Sequence, residues 1–192
     1  QSIENEQIAV LKKIKNKIKI PYSVKLSPFY SNPLNVISKM DQLGVGAFVL
    51  FNKLFQPDIN VDSKEMIFPY NLSHPDENRL ALRFSGLLYD QVKASICGGT
   101  GIYSGTDAVK MILAGADTVQ IVSALYKNKV EYVAAVLKDI ESYMNTNNYN
   151  KLDDFRGLLS KKSTKDPYAY KRAQYVDILM KSDHIFNKYS PR

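Results

Sequence analysis

Two turns rich in glycine and hydroxyl residues carry the clearest chemistry in this chain. Ala94-Ser-Ile-Cys-Gly-Gly-Thr-Gly-Ile102 reads as a buried strand running into a glycine turn, and Ala116-Asp-Thr-Val-Gln-Ile-Val-Ser-Ala-Leu125 as a second buried strand ending on small residues. Glycines at 98, 99 and 101 let the backbone approach an anion closely and adopt positive φ, and Thr100 adds a hydroxyl. Ser123 can donate through its hydroxyl and its amide. Between two neighbouring parallel strands, such turns present a fan of N–H groups to one anion, which makes a phosphate cradle. Alone, the glycine turn reads equally as a plain connection from strand to helix. The ordered pair points to a phosphorylated ligand.

Two further polar side chains stand where strands should be. Lys25 interrupts the otherwise apolar Tyr22-Ser-Val-Lys-Leu26, a costly place for an ammonium without a partner. Facing inward, it can serve an anionic or electron-rich ligand group; facing outward, it snorkels to solvent. Asn52 directly follows the apolar run Gly46-Ala-Phe-Val-Leu-Phe51. Its amide suits a carboxylate, imide or amide, or else it is only a turn residue; the adjacent Lys53 is a second contact or is solvated. Cys97 reads as a small apolar filler, and His74, before Pro75, as a surface residue. His184 is the other histidine. The sequence has no metal-ligand cluster, no Ser-His-Asp pattern, no phosphate-binding loop ending in Gly-Lys-Ser/Thr, and no nicotinamide fingerprint.

The elements that must hold these residues follow from periodicity. Apolar residues at Ile8, Leu11, Ile14 and Ile18 predict a helix over 4–17. Tyr22–Leu26 is a strand between prolines. Asn32-Pro33 caps a helix running to Leu43, closed by Gly44. Gly46–Phe51 is a strand covered on both faces. Asn52 to His74 reads as a long irregular stretch of the kind that is usually functional. Pro75 starts a helix through Leu80, Leu82, Leu87 and Leu88. Then come a strand over Val92–Cys97, a helix over Gly105–Leu113, a strand over Thr118–Val122 and an amphipathic helix over Val130–Met144. Leu152 to Lys181 reads as short helices on the outside. Four strands alternating with helices predict a parallel sheet with right-handed crossovers, that is, four βα units.

The 192 residues, 45% hydrophobic and 23% charged, suffice for one ordinary core. They read as a single domain, 1–192, with 150–192 as peripheral C-terminal helices. A complete (β/α)₈ barrel takes about 250 residues, and the chain opens on Gln1 rather than Met, so the expectation is a piece of a longer chain. The net charge of +7 is concentrated in the lysines from Lys12 to Lys19 and in the tail after Lys161. The first run alternates with Ile14 and Ile18 as a solvated helix face, and no nucleic-acid motif accompanies it. A single cysteine fits a reducing compartment, and no apolar run is long enough to span a membrane; the expected location is cytoplasmic.

Taken in order, these residues resemble the flavin-binding C-terminal half of the dihydroorotate dehydrogenases. Val24-Lys25-Leu-Ser-Pro28, Asn52, the turn Gly98–Gly101 and Ser123-Ala-Leu125 carry the resemblance. Gln56-Pro-Asp58, Asn71-Leu-Ser-His-Pro75, Leu80-Ala-Leu-Arg83, Leu113-Ala-Gly-Ala-Asp117, Asp154-Phe-Arg-Gly157, Asp166-Pro167 and Arg172-Ala173 extend it from about Lys19 to Leu179. The resemblance implies a TIM barrel, of which this chain supplies roughly the last four βα units, with FMN at its C-terminal mouth. It implies flavin contacts from Lys25, Ser73, Gly99, Thr100, Gly101, Val122 and Ser123, and a substrate contact from Asn52. The implied reaction passes a hydride from a dihydropyrimidine such as dihydroorotate to the flavin. The family's base and further substrate asparagines would lie on the other half of the barrel, so no catalytic residue is assigned here. Four βα units alone would expose two parallel sheet edges and apolar inner faces, so the expected partner is that missing half or a second copy. The turn reads Gly-Gly-Thr-Gly where the family usually has Thr-Gly-Gly, which puts one backbone donor in question. A non-catalytic half-barrel that binds phosphate or flavin is the alternative, and an isomerase using the same cradle is a third reading.

Overall fold

The apolar runs of the sequence become the strands of one parallel sheet, and the periodic segments become the helices between them. The computed structural model describes residues 2–69, 71–171, 176 and 180. In chain order the main elements are α1 (Ser2–Lys15), β1 (Ser23–Leu26), α2 (Pro33–Gln42), β2 (Ala47–Leu50), β3 (Asp58–Asn60), β4 (Glu65–Ile67), α3 (Asn78–Leu88), β5 (Ser95–Gly98), α4 (Gly105–Ala114), β6 (Thr118–Val119), α5 (Ser123–Asn128) and α6 (Tyr132–Thr146). The large sheet has the order β1-β2-β5-β6, all parallel. Each βα unit is added beside the last without reversal, so successive right-handed crossovers bring the helices to one face. A doubly wound sheet would need a switch in that order. This is the arrangement of consecutive units in a (β/α)₈ barrel.

Strand register divides the residues between the two faces. Phe48, Leu50 and Ile96 join Leu26, Ala81, Leu88, Ala108 and Met111 in the main core. Lys25, Val49, Cys97 and Thr118 form one cross-sheet row on the opposite face. Gly98 lies against α4, where an added Cβ would stand 3.0 Å from the Met111 sulfur. A second cluster beyond α4 is centred on fully buried Phe155, with Val109 and Ile112.

The local signals at α2 act as the sequence predicts. Asn32 caps α2 by accepting from the Asn35 amide at 3.2 Å, with Pro33 in the first turn. Ser104 and Asp107 form a reciprocal capping box on α4. Helix α1 stops at Lys15, and its lysines are exposed. Other expectations change. The third strand starts at Ser95 rather than Val92, because the Asp41 carboxylate, not a neighbouring strand, takes the amides of Lys93 and Ala94. The fourth ends at Val119 rather than Val122: the Gln120 amide still bonds the Gly98 carbonyl, and the chain then turns into α5.

The larger correction concerns Asn52 to His74, which holds an antiparallel hairpin, β3–β4. Asn60 accepts from the amides of Asp62 and Ser63 to make its turn, and Lys64 takes the left-handed conformation. Ile59 and Met66 pair across it on one face, both exposed. Between α6 and residue 171 the chain forms two 3₁₀ turns, Leu152–Asp154 and Pro167–Tyr170, where short helices are expected, whereas Val176 and Met180 are helical as expected. Arg172, Ala173, His184 and, apart from Val176 and Met180, the other residues beyond 171 lie outside the described residues. No helix among the described residues is long and apolar enough to cross a membrane.

Candidate functional site

The C-terminal ends of the parallel strands share one mouth, where the segments after β2, β5 and β6 meet. A cavity of about 160 Å³ opens there, lined by Lys25, Asn52, Ser73, Thr100, Gly101, Val122 and Ser123 among others. A second, of about 440 Å³, adjoins it through Asn52, Lys53, Asn71, Leu72 and Thr100 and continues over Phe29, Leu54 and Leu80.

Ser73 and Ser123 form the centre of the smaller cavity. Both are buried, and they come from segments 50 residues apart. The Ser73 hydroxyl donates to Ser123 Oγ at 2.7 Å, and the Ser73 amide donates to the same oxygen at 2.9 Å. Ser73 Oγ in turn accepts from the Gly101 amide at 3.2 Å. Since Ser123 Oγ accepts twice here, its own hydrogen is left to donate to a ligand. The Tyr103 hydroxyl donates to the Ser73 carbonyl, and the Tyr132 hydroxyl to the Tyr103 carbonyl at 3.0 Å, so α6 braces the loop that carries Ser73.

The glycine turn divides its labour. Gly99 is not among the cavity-lining residues, and its amide is committed to the Leu50 carbonyl at 2.6 Å. The expected fan of amides is therefore narrower by one. Thr100 has φ of +65°, a conformation that costs a β-branched residue roughly 1–3 kcal/mol and marks functional turns. Its hydroxyl donates to the Phe51 carbonyl at 2.9 Å, tying the turn to the end of β2. Gly101 has φ of +73°, and an added Cβ would lie 2.6 Å from the His74 carbonyl oxygen. Glycine is required there for both reasons.

Lys25 faces inward. Its Nζ donates to Gln120 Oε1 at 3.2 Å. Cys97, in the same row, is buried; burial pushes its thiol up, outweighing a hydrogen bond with Thr118 and the Lys25 charge, and it does not line the cavity. Lys53, though partly exposed, is not free. Its ammonium bonds the Glu77 carboxylate at 2.8 and 2.9 Å and the Leu72 carbonyl at 3.3 Å. His74 is exposed and caps the turn Pro75–Glu77, accepting from the Asp76 amide through Nδ1.

Glu77 is the reciprocal partner in that cap, accepting from the His74 amide at 2.8 Å. Burial works to raise its carboxyl, but the Lys53 hydrogen bond, the His74 amide and the two nearby charges prevail and hold it below the usual range. With its folded pKa below its unfolded one, Glu77 adds stability above about pH 4.3, and that contribution disappears as the pH falls through the folded value. Lys53→Met should therefore flatten the acid limb of the stability–pH curve below about pH 4.3, by less than about 1 kcal/mol because both groups are partly exposed. Urea unfolding from neutral pH to pH 3 measures it; curves that stay parallel would remove Glu77 from the acid response.

The structure thus brings Lys25, Asn52, Ser73, Thr100, Gly101, Val122 and Ser123 around one cavity and leaves Gly99 behind the wall. Gln120, Asn71 and Leu72 join the lining without having been singled out as site residues. Gln120 had a readable signal, since it stands two residues beyond Thr118 and so shares its face. Asn71 and Leu72 had only their place in the long loop. The lining includes two lysines, three hydroxyls and no carboxylate. With Lys53 paired to Glu77 and the Ser73 and Thr100 hydroxyls already donating, Lys25 and the Ser123 hydroxyl remain as donors to an anion. Among the described residues no cluster of His, Cys, Asp and Glu could hold a metal ion.

The dihydroorotate dehydrogenase family profile matches residues 1–144. The chain is 28% identical over 160 residues to the catalytic subunit of dihydroorotate dehydrogenase B (NAD(+)) of Thermoplasma volcanium, covering 80% of this chain and 51% of that protein. It is 28% identical over 152 residues to the subunit of the same name from Methanocaldococcus jannaschii, covering 78% and 49%. For that of Petrotoga mobilis the identity is 29% over 153 residues, covering 78% and 51%. The chain spans about half the length of these relatives. With four consecutive parallel βα units and three quarters of its residues inside the family profile, the chain belongs to the dihydroorotate dehydrogenase family.

Proposed function

We propose that this chain is the FMN-phosphate-binding half of a barrel that oxidises dihydroorotate, or a closely related dihydropyrimidine, in pyrimidine synthesis. The observation that carries the reading is the convergence of Lys25, Asn52, Ser73, Thr100, Gly101 and Ser123 on one cavity without a lining carboxylate. The Ser123 hydroxyl, with the backbone at Thr100 and Val122, would hold the phosphate, while Ser73, itself fixed by the Gly101 amide, would orient Ser123. Gly99 shapes the turn and does not lend its amide. Lys25 would stabilise negative charge on the flavin ring, and Asn52 would orient the pyrimidine from the wall shared by the two cavities. FMN, when bound, supplies the hydride acceptor. The proton-abstracting base is assigned to the other half of the barrel, since Cys97 is buried with its thiol pushed up.

The single domain 1–192 would function only with its complement, whether the first half of the barrel or a second copy. The relatives are named catalytic subunits of an NAD(+)-linked enzyme, and the same place in a cytoplasmic assembly is proposed for the protein containing this chain.

Titration with FMN and with riboflavin, followed by flavin fluorescence, tests the cradle. FMN should bind at least tenfold more tightly than riboflavin, because hydrogen bonds to a charged group contribute about 1.5–3 kcal/mol. Ser123→Ala should lower FMN affinity about tenfold and leave riboflavin unchanged. Equal binding of the two flavins would remove the phosphate assignment. Binding of inorganic phosphate without flavin would favour a non-catalytic half-barrel.

A further inference from the structure

Lys25 stands on β1 at one edge of the sheet, and Gln120 stands just beyond β6 at the other. Their hydrogen bond of 3.2 Å therefore crosses the whole face opposite the main core. Val49 and Cys97 lie in the Lys25 row between them and are only 5% and 7% exposed on that open face. Two lysines line the smaller cavity, and their partners differ in kind. Lys53 is neutralised by the Glu77 carboxylate. Lys25 is held by an uncharged amide, and no ion pair involves it among the described residues.

We propose that Gln120 is a positioning residue: its amide oxygen holds the Lys25 ammonium across the open face while leaving that charge uncompensated. The cavity then presents one oriented cation to an electron-rich ring or carbonyl of its ligand. A carboxylate at 120 would hold the ammonium equally well but cancel its field. An apolar residue would keep the charge and lose its placement. The geometry stands without any assumption about the ligand; its consequence for a flavin rests on the proposed function.

The test is acetylation of the full chain with acetic anhydride, read at each lysine by mass spectrometry from about pH 7 to 11. Gln120 is exposed, so Gln120→Glu and Gln120→Leu remove no core packing. Gln120→Glu should move the Lys25 profile to higher pH, by less than about one unit because both side chains are exposed. Gln120→Leu should raise Lys25 reactivity about threefold at fixed pH by freeing the ammonium, at the cost of about one ordinary hydrogen bond. Lys53 and the α1 lysines should keep their profiles in both. Coincident Lys25 profiles in all three proteins would overturn the assignment, whatever flavin does. In a parallel FMN titration, Gln120→Glu should reduce the preference for reduced over oxidised flavin about tenfold. Moving Lys25 profiles with no flavin binding by the unsubstituted chain would sustain the Gln120 assignment and overturn the flavin reading instead.

Discussion

Gly101→Ala is expected to destabilise the protein by about 2–5 kcal/mol and to abolish anion binding at the mouth. The added Cβ would lie 2.6 Å from the His74 carbonyl oxygen, 2.7 Å from the Asn78 nitrogen and 3.1 Å from the Pro75 carbonyl oxygen. All three are backbone atoms at the start of α3 and its preceding turn, so no side chain can rotate aside. The left-handed conformation adds its own penalty for a residue with a Cβ. Relief requires the segment 73–78 to move away from the glycine turn. That motion breaks the bond from the Gly101 amide to Ser73, and with it the Ser73–Ser123 pair. Stability and binding should therefore fall together. Urea unfolding and FMN titration measure the two effects. A variant that keeps its midpoint and its affinity would mean that the turn does not pack on α3 as described.

Phe155→Ala should have an effect of similar size by a different route, with no direct effect on the mouth. Phe155 is fully buried, stacks on Tyr149 at 5.2 Å and meets Tyr143 edge-on at 5.4 Å. Val109 and Ile112 of α4 close the cluster. Truncating a buried phenylalanine costs about 3–5 kcal/mol, the lost transfer energy together with the cavity left behind. For a chain of this size that lowers the melting temperature by roughly 6–20 °C. Below the transition, FMN affinity should stay within about twofold, because the cluster lies behind α4 and away from the cavity. Such a small change is the additivity expected of distant sites. A cost under about 1 kcal/mol would show that the segment after α6 does not hold α4 in place.

The sheet was legible because β2 is an apolar run covered on both faces and its neighbours are mostly apolar segments bounded by prolines or glycines. The cap of α2 was legible because Asn32-Pro33 carries its chemistry locally. The hairpin was not. Its strands are short and exposed, and Ile59 and Met66 meet across a turn without imposing a periodic pattern on the surrounding loop. The site divides in the same way. A threonine or serine at a strand end is visible in one dimension, but the pairing of Ser73 with Ser123 depends on tertiary closure across 50 residues. Gly99 shows the converse: composition identified a donor, and the sheet had already taken it. Lys53 was readable only as a second ligand contact or a solvated charge, while its pairing with Glu77 needed the loop to return on itself.

That return has a polymer-physics consequence. Lys25 pairs with Val49 after 24 residues and Cys97 with Thr118 after 21, but Val49 meets Cys97 only after 48. The excursion between β2 and α3 roughly doubles the contour length that must close to zip the middle of the sheet. Doubling a flexible loop costs only about 0.6 kcal/mol of closure entropy, less than one well-made hydrogen bond to a charged group. Insertions and deletions in the exposed hairpin of the excursion are thus nearly invisible to folding, although the same excursion supplies Ser73 and walls both cavities. This interval can accordingly drift in length and composition, changing what the mouth recognises while the strands on either side keep their register.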